Sequence, residues 1–304
     1  MKAYYRLFLN GFIILLVLIV TDKALGALIE HYFFTEKQGD SAITTHGVLH
    51  AREDILIFGS SRASHHYIPA LISGKSGLSC YNLGRDGMKM LYYEELLVAV
   101  LSYHNPKIVI LDLNLSDFED TPQEEELLTT VFMPYIQKNK AVSDLIYRLS
   151  KTEFALANIS TLYRLNSLPL SILQHNLEIG QKQFNGYEPL FGTLPKTSKV
   201  IFVDKKNYKE SKAQLKAFEN IVQLTQSKHI KLCVLVSPGM KIHKNNAVKT
   251  ANRILNKYRL SVYNYSGLFS PDPAPLFYDI GHLNEVGARA FTNIVIQRVF
   301  PKEI

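Results

Sequence analysis

Four short stretches of this 304-residue chain hold side chains suited to acyl chemistry. Gly59-Ser60-Ser61-Arg62 offers two hydroxyls and a cation. Asn82-Leu83-Gly84-Arg85-Asp86-Gly87 offers an amide and glycine backbone, and Asp112-Leu113-Asn114 a carboxylate and an amide. Asp279-Ile280-Gly281-His282 sets a carboxylate and an imidazole three residues apart, so that both can reach one point. A serine hydroxyl is a poor nucleophile until a base takes its proton, and a neutral imidazole does this near neutral pH. A carboxylate on the other ring nitrogen fixes the tautomer and stabilises the imidazolium. The tetrahedral intermediate needs hydrogen-bond donors, which the backbone N–H groups of Ser61 and Gly84 and the side-chain amide of Asn114 could supply.

These stretches need a frame that brings them to one place. Asp54 to Phe58, Leu78 to Leu83, Lys107 to Leu113, Lys231 to Pro238 and Ser261 to Ser266 read as five strands, mostly continuous apolar runs of the kind buried on both faces of a parallel sheet. Helical patterns alternate with them: 68–73 with Pro69 in the first turn, 88–103, 208–228, 245–258 and 284–299. Five strands alternating with helices predict a three-layer α/β/α, flavodoxin-like parallel sheet. Ligands bind beyond the carboxyl ends of such strands, where all four stretches fall. Between about 116 and 200 the alternation stops. Thr121, Pro122 and Glu124 spell a helix start, and 141–150 and 153–178 are also helical in pattern, so a helical insertion is expected to overhang that edge.

With these residues in place, the chain resembles the SGNH (GDSL-like) hydrolases. The family's first block is Gly-Asp-Ser after strand one. Gly59-Ser60-Ser61 stands here, with Ser61 in the nucleophile's place and Ser60 replacing the Asp. The second-block glycine is Gly84, with Gly87 as the alternative. The third block, Gly-x-Asn-Asp, survives only as Asn114, because Asp112 and Leu115 occupy the flanking places. The last block, Asp-x-x-His, is Asp279 to His282. The resemblance spans residues 54–114 and about 230–298. It implies a Ser61–His282–Asp279 triad, an oxyanion hole from Ser61, Gly84 and Asn114, and neither cofactor nor metal. Arg62 and Gly87 remain as substrate contacts, Arg62 as a site for an anionic group or else as an exposed structural arginine. His65 and His66 cannot both point into one site from a helix start, so at least one is a surface or packing residue. His104 and His243 read as surface residues on helices.

The N-terminus adds a location. Leu7 to Val20 is almost wholly apolar and Ala24 to Ile29 extends it, with Lys2 and Arg6 in front. The expected layout is a cytoplasmic tail (1–6), a transmembrane anchor (7–29), a linker (30–52) and an extracytoplasmic domain (53–304). A cleaved signal peptide, with Ala24-Leu25-Gly26 as the site, and a soluble core helix are the rival readings. The rest of the composition is that of a folded protein, 47% hydrophobic and 20% charged. The +7 charge is scattered rather than set in a basic stripe with aromatics, which argues against nucleic acid. Cys80 and Cys233 sit in strand runs as core residues, with no zinc spacing. The expectation is a membrane-anchored serine esterase or O-acyltransferase acting on acyl esters, acetyl above all, of a cell-envelope glycan or glycolipid. Partners from envelope biosynthesis would fit that role. The alternative is a catalytically silent domain that binds polymer in an envelope assembly.

Overall fold

A computed structural model describes residues 2–114, 116–120, 122–165, 183–203, 209–243, 246–270 and 272–300. In chain order the elements begin with α1 (Lys2–Phe34), α2 (Asp40–Thr45) and a π-helical turn, His46–His50. β1 (Ile55–Phe58), α3 (Ser61–His66), α4 (Pro69–Ser76), β2 (Cys80–Asn82), α5 (Met90–Leu101) and β3 (Ile108–Asp112) follow. Next come α6 (Glu124–Phe132), α7 (Lys140–Leu149), α8 (Lys151–Ile159) and α9 (Thr161–Arg164). The last elements are β4 (Ile201–Val203), α10 (Lys212–Ser227), β5 (Lys231–Val236), β6 (Lys241–His243), α11 (Asn246–Leu255), β7 (Val262–Asn264) and α12 (Glu285–Val299). The chain divides into two compact units: 1–42 with 123–180, and 43–122 with 181–304.

The larger unit is built on a five-stranded parallel sheet in the order β2-β1-β3-β5-β7. Every residue of β1 and β3 is buried, which is why both read as unbroken apolar runs. Side chains alternate between the faces. Ile55, Ile57, Ile110, Cys233 and Leu235 share one core with Ile72 of α4 and Phe291 and Val295 of α12. Leu56, Phe58, Val109 and Leu111 point the other way, where α5 and α10 pack together. This is the expected three-layer α/β/α, flavodoxin-like order. Chain direction across the sheet reverses between β1 and β3, and the crevice at such a switch point is where doubly wound sheets bind ligands. A separate parallel pair, β4 with β6, escapes sequence reading because each strand is only three residues long. It moves His243 from an expected helix to a strand.

The smaller unit joins α1 to the inserted helices. α1 contains a span, Tyr4–Phe34, long and apolar enough to cross a membrane, and its most apolar 18-residue window has a mean hydropathy of 2.4. From Phe12 to Val20 it is apolar all round, as a helix facing lipid would be. Its second half packs on α9. Asp22 accepts hydrogen bonds from the Ser160 hydroxyl and from the N–H groups of Thr161 and Leu162, both 3.1 Å, and so caps α9 from outside. Gly26 lies so close to Thr161 that an added Cβ would sit 2.5 Å from its Cβ. Glu30 pairs with Lys138 and with buried Arg164, both at 2.9 Å. Phe33, 2% exposed, meets the Tyr135 ring.

Two expectations need correction here. Residues 30–52 are not a plain linker: they carry the end of α1, α2 and the π-helical turn, and Ile43 and Val48 are buried. The inserted helix begins at Glu124 behind a left-handed Gln123, while Thr121, its expected cap, lies outside the described residues, as do 166–178 and Leu115.

Candidate active site

β1 is followed by Gly59, whose φ of 154° and tight surroundings admit no side chain. A Cβ there would lie 2.7 Å from the Ala63 Cβ and 2.9 Å from the Asp112 carbonyl oxygen. The turn it makes sets Ser60 as the N-cap of α3 and Ser61 as its first residue. In that position the Ser61 N–H has no acceptor within the helix and is left for another partner.

Ser61 Oγ lies 2.8 Å from His282 Nε2, and His282 Nδ1 lies 3.0 Å from both Asp279 oxygens. The loop is wound tightly around that carboxylate. Asp279 Oδ1 also accepts from the N–H groups of Gly281, 2.7 Å, and His282, 2.9 Å. Asn284 then caps α12 through the Gly287 N–H, which fixes where the loop ends. Burial alone would raise the Asp279 carboxyl, but bonds from the His282 ring and the two N–H groups outweigh it and hold the group below its ordinary range. An ionised Asp279 keeps the ring proton on Nδ1 and leaves Nε2 to accept from Ser61.

A cavity of about 270 Å³ opens on this array, lined by Ser61, Arg62, Asn114, Gly239, Lys241, Ile280, Gly281 and His282. Asn114 reaches it from the end of β3. Its N–H donates to buried Asp117 at 2.8 Å, and its side-chain amide approaches the Ser60 hydroxyl at 3.4 Å. Ser61, Asn114, Asp279, His282 and Arg62 are therefore brought together. Gly84 is not among the lining residues, and its N–H already donates to Asn82 Oδ1 at 2.9 Å. Its lack of a side chain serves packing instead, since a Cβ would lie 2.4 Å from the Ser64 nitrogen. Gly87 is exposed, has a φ of 72° and is likewise outside the lining. Arg62 is no exposed arginine: it is 8% exposed and donates to the Ser237 carbonyl.

Sequence reading missed a buried chain of bonds behind the triad. His66 Nε2 accepts from the N–H of Leu283, next to His282, at 2.9 Å, which puts its proton on Nδ1. Nδ1 donates to Ser237 Oγ at 3.0 Å, and that hydroxyl donates to Asp112 Oδ2 at 3.0 Å. Asp112 also accepts from Tyr67, 2.6 Å, and the Ser237 N–H, 3.0 Å. All four side chains are buried. Burial, with the nearby Arg62 charge, pushes the His66 ring well below its usual range and keeps it neutral, as an acceptor must be. The chain ties the His282 loop to the ends of β3 and β5. His65 is buried too; its Nδ1 donates to the Glu188 carbonyl at 2.7 Å, and its ring is edge-on to His282. Because that carbonyl can only accept, Nδ1 carries the proton.

No protein-family model and no curated protein matches the chain. Three solved structures are similar to it. An acetyl xylan esterase is 15% identical at a TM-score of 0.39, over 82% of this chain and 100% of that one. A Streptococcus pneumoniae protein described as a platelet activating factor is 11% identical at 0.39, over 90% and 96%. A Bacteroides fragilis protein described as an acylhydrolase is 11% identical at 0.35, over 81% and 85%. The parallel sheet has the flavodoxin-like strand order, and along it Gly59 to Ser61, Asn114 and Asp279 to His282 stand in the sequence order of the blocks by which the chain resembles the SGNH/GDSL-like hydrolases.

Proposed function

We propose that the chain is a membrane-tethered serine esterase or O-acyltransferase acting on acyl esters of a cell-envelope glycan or glycolipid. The observation that carries the chemistry is the unbroken line Ser61 Oγ–His282–Asp279, at 2.8 and 3.0 Å, opening on the cavity. Ser61 Oγ attacks the ester carbonyl as its proton passes to His282 Nε2. The Ser61 N–H and the Asn114 amide are the donors for the oxyanion. His282 returns the proton to the departing alcohol oxygen, which leaves an acyl-Ser61. Water, or a sugar hydroxyl in the transfer reaction, then gives its proton to His282 and takes the acyl group, and His282 passes that proton to the departing Ser61 Oγ. Loss of one oxyanion donor costs about 3–4 kcal/mol in such reactions, so two donors without Gly84 still supply substantial stabilisation.

The tether is supported by the contacts of α1. Asp22, Gly26 and Glu30 belong to a folded unit with α7 and α9, and cleavage after Gly26 would remove the cap of α9. Lys2 and Arg6 put the N-terminus in the cytoplasm and the site outside it. That location supports the envelope substrate.

A fluorophosphonate probe should label the full chain in detergent, and Ser61→Ala should abolish labelling. Intact mass should show residues 1–26 retained in membranes. If the wild type neither takes the probe nor hydrolyses p-nitrophenyl acetate, the enzyme reading fails.

A further inference from the structure

The cavity beside Ser61 is lined by two cations, Arg62 and Lys241, and by no carboxylate among its lining residues. Arg62 is the more telling of the two. Its side chain is over nine-tenths buried, yet its one hydrogen bond among the described residues goes to the Ser237 carbonyl. Its Nε is buried with no acceptor. Structural arginines in such places are matched by a carboxylate across a bidentate pair. Two buried acids, Asp112 and Asp117, feel the Arg62 charge, but neither forms an ion pair with it among the described residues. The Asp112 oxygens are taken by Tyr67 and Ser237, and Asp117 accepts from the Asn114 N–H. Gly239 lies against the guanidinium, where a Cβ would come 2.9 Å from Nη2, so the absence of a side chain lets Arg62 reach along the cavity wall. Lys241, at the start of β6, is exposed and has no ion pair among the described residues.

We infer that Arg62 and Lys241 form an anion subsite, and that the substrate is an ester carrying a carboxylate, sulfate or phosphate next to the scissile carbonyl. The inference rests on Ser61 being the reacting group. An anionic group there would meet the planar donor fork of Arg62, which is desolvated and held in place, and the mobile ammonium of Lys241 from the solvent side. Desolvation at Arg62 makes it the larger contributor to selectivity, and exposure makes Lys241 the smaller and more salt-sensitive one.

The test compares matched esters on the full chain in detergent. One pair places the anion on the acyl side: mono-p-nitrophenyl succinate against p-nitrophenyl butyrate. The other places it on the alcohol side: an O-acetylated methyl glucuronide against the O-acetylated methyl glucoside. In at least one pair kcat/KM should favour the anionic member by tenfold or more, and that preference should shrink between 20 and 500 mM NaCl. Which pair responds tells which side of the ester carries the charge. The preference should fall about tenfold, toward one, in Arg62→Gln and about threefold in Lys241→Gln. Arg62→Lys, with the charge kept and the fork lost, should fall between them. A preference near one in both pairs, or one that Arg62→Gln and Lys241→Gln leave unchanged, overturns the inference. If Arg62→Gln fails to fold, the wild-type preference and Lys241→Gln still decide. A calorimetric titration of Ser61→Ala with methyl glucuronide and succinate, against methyl glucoside, separates the two claims. Anion binding without any fluorophosphonate labelling keeps the subsite and removes the esterase, whereas labelling with no anion binding or preference does the reverse.

Discussion

Asp279→Asn is the sharpest probe of the triad, because the loop dictates which way the new amide must point. Asp279 Oδ1 accepts from two backbone N–H groups, Gly281 at 2.7 Å and His282 at 2.9 Å, while Oδ2 faces His282 Nδ1. An asparagine that keeps its oxygen on the two N–H groups turns its NH2 toward Nδ1. The ring must then accept there and carry its proton on Nε2, where it can no longer take the proton of Ser61. The flipped rotamer would aim an NH2 at two N–H donors and is worse by both of the bonds they make. So the substitution keeps the loop and inverts the tautomer. The same inversion in a serine triad costs about ten-thousandfold in turnover. The Asp279 side chain is 44% exposed, so water offsets part of the loss here. We expect a fall in kcat of about a thousandfold, equivalent to about 4 kcal/mol of barrier, with KM little changed. The assay is p-nitrophenyl acetate hydrolysis, with the rate of fluorophosphonate labelling measured in parallel. A loss under about tenfold in both would refute the assignment of Asp279 as the orienting carboxylate. The same group makes a pH prediction. Its folded-state pKa is depressed below the ordinary 3.8, so its stabilising contribution is complete above that value and is lost as pH falls through the folded value. The stability difference between wild type and Asp279→Asn should therefore close in acid below about pH 4.

Other consequences follow from single contacts. His66 is buried neutral, while an unfolded chain takes up a proton near its ordinary 6.5, so wild-type stability should fall with acid by about 1.4 kcal/mol per pH unit below that point. His66→Gln should flatten this slope when thermal unfolding is compared at pH 7.5 and 5.5, and an unchanged slope would remove His66 as its source. Gly59→Ala must fit a Cβ 2.7 Å from Ala63 at a φ of 154°, and should cost about 3 kcal/mol, seen as a melting point lower by about 6–12 °C. Glu30→Ala strips the carboxylate from Arg164, whose side chain is 3% exposed. It should cost about 3–5 kcal/mol, read as faster limited proteolysis within 138–165, and Glu30→Gln should cost less.

The sheet was legible because its signals are local. β1, β3 and β5 are runs of apolar residues closed by Gly59, Asp112 and Ser237, and locating them needed no distant information. The meeting of Ser61, His282 and Asp279 was legible for a related reason. Asp279 and His282 share one loop, and Ser61 follows the first strand, so the fold class alone sets all three at one edge. What escaped were residues whose partners lie far along the chain. His66 looks like a polar turn residue until Leu283 and Ser237, 217 and 171 residues away, turn it into a buried strut. Asp22 looks like a break in a membrane segment until Ser160, 138 residues on, makes it a helix cap.

Gly84 shows a different failure, one of role rather than place. A glycine at the end of a strand beside a serine can serve as backbone donor or as clearance, and the sequence is the same for both. Here the Asn82 side chain decides, because its oxygen takes the Gly84 N–H while its amide ties down the carbonyls of Ala63 and Tyr67. Asn82 thus fixes both ends of α3, the helix whose first residue is Ser61, to the end of β2. Asn82→Ala would release these three bonds at once. If Gly84 acts only as clearance, the variant should lose stability and the accuracy of Ser61 placement together. If the freed Gly84 N–H could instead turn to the oxyanion, turnover would hold or rise while stability fell. Measuring kcat and melting temperature on the same Asn82→Ala sample separates the two, and the packing of Gly84 against the Ser64 nitrogen makes the joint loss the expected result.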